Sequence, residues 1–289
     1  MNVLIIQEAA RNEKNKEYRE SLCIQRALSK IEGIKSMVWG LNYPSFHTPF
    51  EYFEKWADII FIIENYDSGW LPMEKIKSSK KLKIFWSIDS HCVLKQHQKM
   101  CEALGINILL NSSEQYLPHF KDLVDKCFWF PNSHCDEIIR PLNKEKTVDL
   151  GFCGNIVNRG DILKYLEKFS IKKDIFVIGD DMVEAINSYK IHFNKNISDD
   201  INYRTFETTG CGTMLLTNKT PNLDKLFEIG KEIETYDSLE ELDEKIIYYL
   251  NNPNKRIEIE KAGLERVKKE HTYLNRMKFI LGEINVFAK

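Results

Sequence analysis

Short runs of apolar, β-branched or aromatic residues recur along the first half of the chain, at 2–7 (NVLIIQ), 36–41 (SMVWGL), 58–64 (DIIFIIE), 82–89 (LKIFWSID), 106–112 (INILLNS) and 127–131 (CFWFP). They are continuous rather than alternating, the pattern of strands covered on both faces. Between the first two, Leu22, Ile24, Ala27, Leu28 and Ile31 recur at helical spacing, which predicts a βαβ crossover. A polar segment, RPLNKEKT at 140–147, then separates a second series at 148–154, 174–180, 190–194, 213–218 and 232–236. Leu239, Leu242, Ile246 and Leu250 form the apolar face of a following helix, and Pro253 stands in the first turn of the next. The order predicts an α/β protein of two doubly wound domains, 1–143 and 144–271, with a terminal helix over 272–289. Ligands of such sheets sit outside the carboxyl ends of the strands, and both sets of strand ends can face one cleft.

Composition narrows the function classes. A chain of 289 residues with 43% hydrophobic content suits two cores of about 140 residues each. Lys+Arg at 41 against Asp+Glu at 43, a net charge of -2, lacks the basic surplus of a protein that binds nucleic acid through its phosphates. The apolar start turns charged within a few residues, unlike a signal peptide, and no run approaches the roughly 20 apolar residues of a membrane span. Seven cysteines without a C-x-x-C spacing fit reduced thiols and a cytoplasmic location rather than disulfides or zinc.

Two loops of the second half carry candidate chemistry. In GFCGNIVNRGDILKYL a strand runs into Gly154 and Asn155 and continues through Arg159 into a helix. Glycine lets a ligand approach the backbone, helix-start amides favour an anion, and a guanidinium fork suits phosphate oxygens. An ordinary strand-to-helix turn fits the same residues. In YRTFETTGCGTMLLTN a helix beginning near Asn202 would place Arg204, Glu207 and Thr208 three and four positions apart. A carboxylate there can accept two vicinal hydroxyls, and Thr208, Thr209 and Gly210 can bond a diphosphate. The plainer alternative is an Arg204–Glu207 surface pair beside glycines that only permit packing. The two loops leave the same half-chain where a nucleotide would bind, which favours the site.

The first half is less explicit. Asp89 and His91 close the run FWSIDSH, where either could orient or deprotonate an acceptor hydroxyl; a polar turn fits as well. Tyr66 and Trp70 in ENYDSGWLP can stack on a sugar or simply pack. His192 reads as a core residue, and GDDM at 179–182 as a strand-end turn.

The segment INYRTFETTGCGTMLLTN, with the acidic turn EIETYDSLEEL after it and GNIVNR before it, resembles the C-terminal domain of glycosyltransferases of the GT-B fold, the CgeB-like spore-maturation group in particular. KIFWSIDSH and FPNSHCDE extend the likeness more thinly into the first half. The resemblance implies two Rossmann-like domains facing a central cleft, and a terminal helix that crosses back to brace the first. It implies a nucleoside-diphosphate sugar donor held by Gly154, Asn155, Arg159, Gly179, Arg204, Glu207, Thr208, Thr209 and Gly210. Glu207 would take the ribose hydroxyls, Arg159 with the amides of Thr208, Thr209 and Gly210 the diphosphate, and Gly179 the base. Many retaining relatives space two carboxylates as E-x7-E, and the count back from Glu207 reaches Asp199, an Asp where Glu is usual, so stereochemistry stays open. The implied reaction is sugar, of hexosyl type, transferred to a hydroxyl acceptor, with Asp89, His91, Arg159 and Asp199 as catalytic candidates and neither metal nor cofactor required. A non-catalytic assembly protein of the same shape and a nucleotide-sugar epimerase are the alternatives.

Overall fold

The structure, a computed structural model, describes residues 1–287; the last two residues of the expected terminal helix, 288–289, lie outside the described residues. The chain divides into two compact units, one of Met1–Pro131 together with the chain from Arg276 on, the other Asn132–Asn275.

Six strands build the sheet of the first unit: β1 Asn2–Ile6, β2 Lys35–Trp39, β3 Ile59–Ile63, β4 Leu82–Ser87, β5 Ile108–Asn111 and β6 Lys126–Trp129. All pairings are parallel, in the order β2-β1-β3-β4-β5-β6. All five residues of β3 are buried, as a strand covered on both faces requires. Leu4, Ile6, Ile60, Ile62, Phe85 and Leu109 form one core with Phe50, Phe53, Ile76, Met100 and Leu104 from the flanking helices. The helix Ser90–Leu104 ends on Gly105 at φ 62°, the left-handed stop that glycine adopts without a Cβ clash.

The second unit carries β7 Val148–Gly154, β8 Lys172–Ile175, β9 Tyr189–Asn194, β10 Met214–Asn218 and β11 Glu234–Tyr236, all parallel in the order β11-β10-β9-β7-β8. In each sheet the strand that opens the series has neighbours on both sides, β2 and β3 about β1, β8 and β9 about β7. The chain reverses its winding there, and loops leaving the two strands at the reversal part to opposite faces, opening a crevice at their carboxyl ends.

Two local expectations are corrected. The strand expected at 174–180 ends at Ile175, because Phe176 takes φ 56° and stands 64% exposed; its apolar run finds no sheet neighbour to cover it. Residues 180–182 then open the helix Asp180–Ser188 instead of a turn, with Asp180 and Asp181 at its positive end. The polar segment 140–147 is not free linker either. The Leu142 N–H donates to Asn187 Oδ1 at 2.8 Å and Asn187 Nδ2 donates to the Arg140 carbonyl at 3.2 Å, while His134 forms a parallel bridge with Thr272. Residues from 132 on therefore belong to the second unit. The helix Tyr273–Phe287 begins in the second unit and continues into the first, where Arg276 Nε donates to the Pro131 carbonyl at 2.9 Å and Phe279 meets Phe128 edge-on at 5.9 Å. Among the described residues no helix is long and apolar enough to cross a membrane.

Candidate functional site

The crevice between β7 and β9 gathers two arginines. From the loop after β7, Arg159 Nε donates to the Lys195 carbonyl at 2.9 Å, and Nη1 to the carbonyls of Asn155 at 3.1 Å and Val157 at 3.4 Å. From the helix Tyr203–Gly210, which follows β9, Arg204 Nε donates to the Cys153 carbonyl at 2.9 Å and Nη1 pairs with Glu207 Oε2. The two guanidinium groups thus brace the exit of β7 from both sides, and burial together with the Arg204 charge lowers the Arg159 pKa from its ordinary value. Each keeps its Nη2 without a protein partner among the described residues, and neither Nη2 is sealed from solvent. Lys195 adds a third cation, its Nζ 3.4 Å from the Asn158 carbonyl. Two fixed guanidinium groups beside a helix start can hold a doubly charged anion.

The i,i+3 pair of Arg204 and Glu207 is partly buried rather than superficial, with side chains 20% and 12% exposed. Arg204 engages Oε2, and Oε1 remains available as a hydroxyl acceptor. Gly154 ends β7 and takes the Phe176 N–H on its carbonyl at 3.1 Å, and Asn155 Oδ1 accepts the Val157 N–H at 2.9 Å, which sets the turn. Gly179, at φ 64°, precedes the helix Asp180–Ser188. Asp199 stands exposed at φ 59° in the loop between β9 and the helix Tyr203–Gly210.

Thr208, Thr209 and Gly210 are placed differently from the expectation. Thr208 Oγ1 lies 2.5 Å from His192 Nδ1, and His192 Nε2 accepts the Cys153 N–H at 3.1 Å. That bond fixes the tautomer, so Nδ1–H donates to Thr208, and burial holds the ring neutral with its pKa at about 3. Thr209 Oγ1 donates to the carbonyls of Thr205 and Phe206 at 2.9 and 3.1 Å, and a Cβ on Gly210 would lie 2.6 Å from His134 Cδ2. All three are buried in the latter part of their helix, where amides already serve the helix ladder. Their amides are therefore not those that a helix start offers to an anion.

That start is fixed by amides that no motif announced. Asn194 Nδ2 donates to Asn196 Oδ1 and Thr217 Oγ1, both at 3.2 Å, Asn196 Oδ1 accepts the Asn202 N–H at 3.1 Å, and Asn218 Oδ1 accepts the Asn196 N–H at 2.6 Å. The network pins the loop 195–202 between β9 and β10.

In the first unit, Asp89 follows β4 as the exposed residue before the helix Ser90–Leu104, and His91 lies in that helix's first turn with Nδ1 buried and unpartnered among the described residues. Glu64, the residue that follows the apolar β3, reaches the same place: its Oε2 accepts the N–H groups of Ile88 at 2.7 Å and Asp89 at 2.8 Å. Its position directly after a fully buried strand was the one signal the sequence offered for it. A depression of about 480 Å³ lined by Ser90, His91, Lys95 and Tyr116 lies on the same helix. Trp70 packs with Trp39 and Phe46 at 5.7 and 5.6 Å, whereas Tyr66 is 51% exposed beneath the guanidinium groups of Arg11 and Arg19.

Two parallel sheets of Rossmann-like winding, with an arginine-lined crevice in the second, define a class that comparison makes definite. Residues 134–282, more than half of the chain, match the family described as glycosyl transferase-like, and the chain belongs to that family. No curated protein matches it in sequence. Among solved structures, sucrose-phosphate synthase from Thermosynechococcus elongatus superposes with a TM-score of 0.66 at 11% identity, covering 99% of both chains. Anabaena HepE, solved in complex with UDP and glucose, superposes at 0.62 with 11% identity over 99% of this chain and 100% of its own. The N-terminal domain of Candida albicans trehalose-6-phosphate phosphatase gives 0.66 at 10% identity, over 98% of this chain and 96% of that one. The fold is of the GT-B type, and shape alone does not fix the reaction.

Proposed function

We propose that the protein is a glycosyltransferase that binds a nucleoside-diphosphate sugar at the carboxyl ends of β7 and β9 and transfers the sugar to a hydroxyl acceptor without a metal ion. The observation that carries this is the pair Arg159 and Arg204, fixed on the two sides of the β7 exit with one open Nη2 each. As the bond from the anomeric carbon to the diphosphate breaks, negative charge grows on the departing oxygen, and pre-placed cations lower that barrier without reorganising. Glu207, anchored by Arg204, offers Oε1 to the ribose hydroxyls. Gly154, Asn155 and Gly179 shape the floor for nucleotide and base, and Asp199 faces the sugar. Asp89 and His91 serve the acceptor side. HepE, whose structure holds UDP and glucose, supports a uridine donor and a hexosyl group, and seven free thiols support a cytoplasmic location.

Calorimetric titration with UDP, GDP, dTDP and ADP, alone and as sugar conjugates, with and without EDTA, tests the reading. The expected result is one preferred nucleotide whose affinity persists in EDTA and falls about 100-fold in R159A, the loss of a charge-assisted contact of about 3 kcal/mol. Unchanged binding and turnover in an R159A/E207Q double variant would overturn the site. Binding of no nucleotide would favour a non-catalytic protein of the same shape.

A further inference from the structure

We propose that Phe176, at the exit of β8, is the face on which the base of the bound nucleotide stacks. The inference rests on the nucleotide-sugar reading of the second unit, and it gives a side chain to the one part of the donor for which that reading names only backbone, at Gly179. The Phe176 ring is 64% exposed, and its φ of 56° places a bulky residue in the left-handed region that side chains with a Cβ seldom adopt. An exposed aromatic ring also forgoes the gain of burial. The fold thus keeps two unfavourable features at a single residue, a combination that marks a group held for a ligand rather than for packing.

The backbone that carries the ring is fixed. The Phe176 N–H donates to the Gly154 carbonyl at 3.1 Å, and the Val177 carbonyl accepts the Cys153 thiol at 3.8 Å, so two successive residues of the loop are tied to β7. Gly179, at φ 64°, then turns the chain into the helix Asp180–Ser188. Because β8 is an edge strand, that side of the loop has no further strand to pack against among the described residues.

The position of Phe176 relative to the arginines selects the ligand. Two successive carbonyls at the exit of β7 divide the crevice: Cys153 is held by Arg204 Nε at 2.9 Å, from the helix after β9, and Gly154 by the Phe176 N–H, from β8. The first side, with Arg159, Arg204 and Glu207, is charged. On the β8 side, Ile175 and Phe176 are exposed together with Ile156 and Val157, the second and third residues after Gly154. A nucleotide is built in the same order, anionic at one end and ending in a flat base whose faces stack on aromatic rings. Stacking engages the face of the base and not its hydrogen-bonding edge. Phe176 therefore strengthens the binding of any nucleotide and leaves the choice among bases to groups that meet the edge.

Replacing the ring tests the stack without touching the arginines or Glu207. In calorimetric titration with UDP, GDP, dTDP and ADP, F176A should weaken every nucleotide that wild type binds by about tenfold, and F176Y, which keeps a ring, should bind as wild type does. Inorganic pyrophosphate, which has no base, should bind wild type and F176A alike. F176G separates recognition from packing: glycine takes a left-handed φ freely, so Tm should hold or rise while nucleotide affinity falls as in F176A. Proton spectra give a direct readout, since the base protons of the bound nucleotide should move upfield in wild type and not in F176A. Wild-type affinities in F176A and F176G, or base protons that do not move on binding, would overturn the stack and leave the donor site standing. Phe176-dependent binding in a protein that transfers no sugar from any nucleotide donor would instead overturn the glycosyl-transfer reading and leave the stack standing. Binding of no nucleotide to wild type would overturn both.

Discussion

His192 and Thr208 show how a residue can sit in a binding motif and still serve the fold. The histidine bridges the Cys153 N–H of β7 and the Thr208 hydroxyl, so T208V strands a buried N–H. We expect T208V to lose about 1–3 kcal/mol of stability, read as a lower urea midpoint, with nucleotide affinity of the folded protein unchanged. A weakened affinity would return Thr208 to the diphosphate. Glu64 predicts a second effect. Its folded pKa of about 7 exceeds the ordinary 4.5, so its contribution to stability is complete below pH 4.5 and disappears as the pH rises through 7. His97 and His192, lowered from 6.5 to about 4 and about 3, act in the opposite sense: their contribution is complete above pH 6.5 and is lost as the pH falls towards those values. Denaturation of E64Q and wild type across this range should therefore show the variant gaining, relative to wild type, on the order of 2–3 kcal/mol between pH 4.5 and 7. Arg159, Arg204 and Glu207 were legible in the sequence because spacing along one loop and one helix places them. Glu64 and His97 were not, because they meet only when β3 and the helix Ser90–Leu104 pack.

The elements around the crevice repeat that contrast. Strands of the first unit follow directly from continuous apolar runs, and each of the six is found where a run predicts it. In β8 the same reading overshoots, since Ile175 and Phe176 are apolar yet exposed, and local hydrophobicity cannot tell whether a sheet neighbour exists. The start of the helix Tyr203–Gly210 was predicted to within a residue, but its fixation by Asn194, Asn196, Asn202 and Asn218 depends on contacts up to 24 positions apart. Asn196 is 3% exposed and its side chain bonds Asn194, Asn202 and Thr220. N196A should loosen the loop before the helix and weaken nucleotide binding by about tenfold, the size of one lost buried hydrogen bond. Faster hydrogen exchange at 197–203 with unchanged protection of β10 would confirm a local effect; loss of protection throughout the second unit would refute it.

On the scale of the molecule, the two units are built unequally. The second is one uninterrupted stretch, Asn132–Asn275, whereas the first is completed by residues from Arg276 on, among them Met277, Ile280, Leu281 and Ile284, all buried. A chain ending at Asn275 should keep a cooperative second unit that binds the same nucleotide, and should lose the calorimetric transition of the first or shift it down by 10 °C or more, about 2–3 kcal/mol for a unit of this size. A single undisplaced transition would contradict that division. The polar segment at 140–147 suggested a boundary in the sequence, but polarity reports solvent contact, and these residues are polar while tied to Asn187.

The helix Tyr273–Phe287 has a consequence for how the protein is made. Domains generally fold in the order in which they leave the ribosome, the N-terminal one first. Here the first unit leaves the ribosome before the helical segment that seals its core has been translated, with the whole of Asn132–Asn275 still to be synthesised. The second unit can therefore reach its native state before the first, and until Arg276 and the residues after it emerge, the nascent first unit carries an uncovered apolar surface of the kind that chaperones shield.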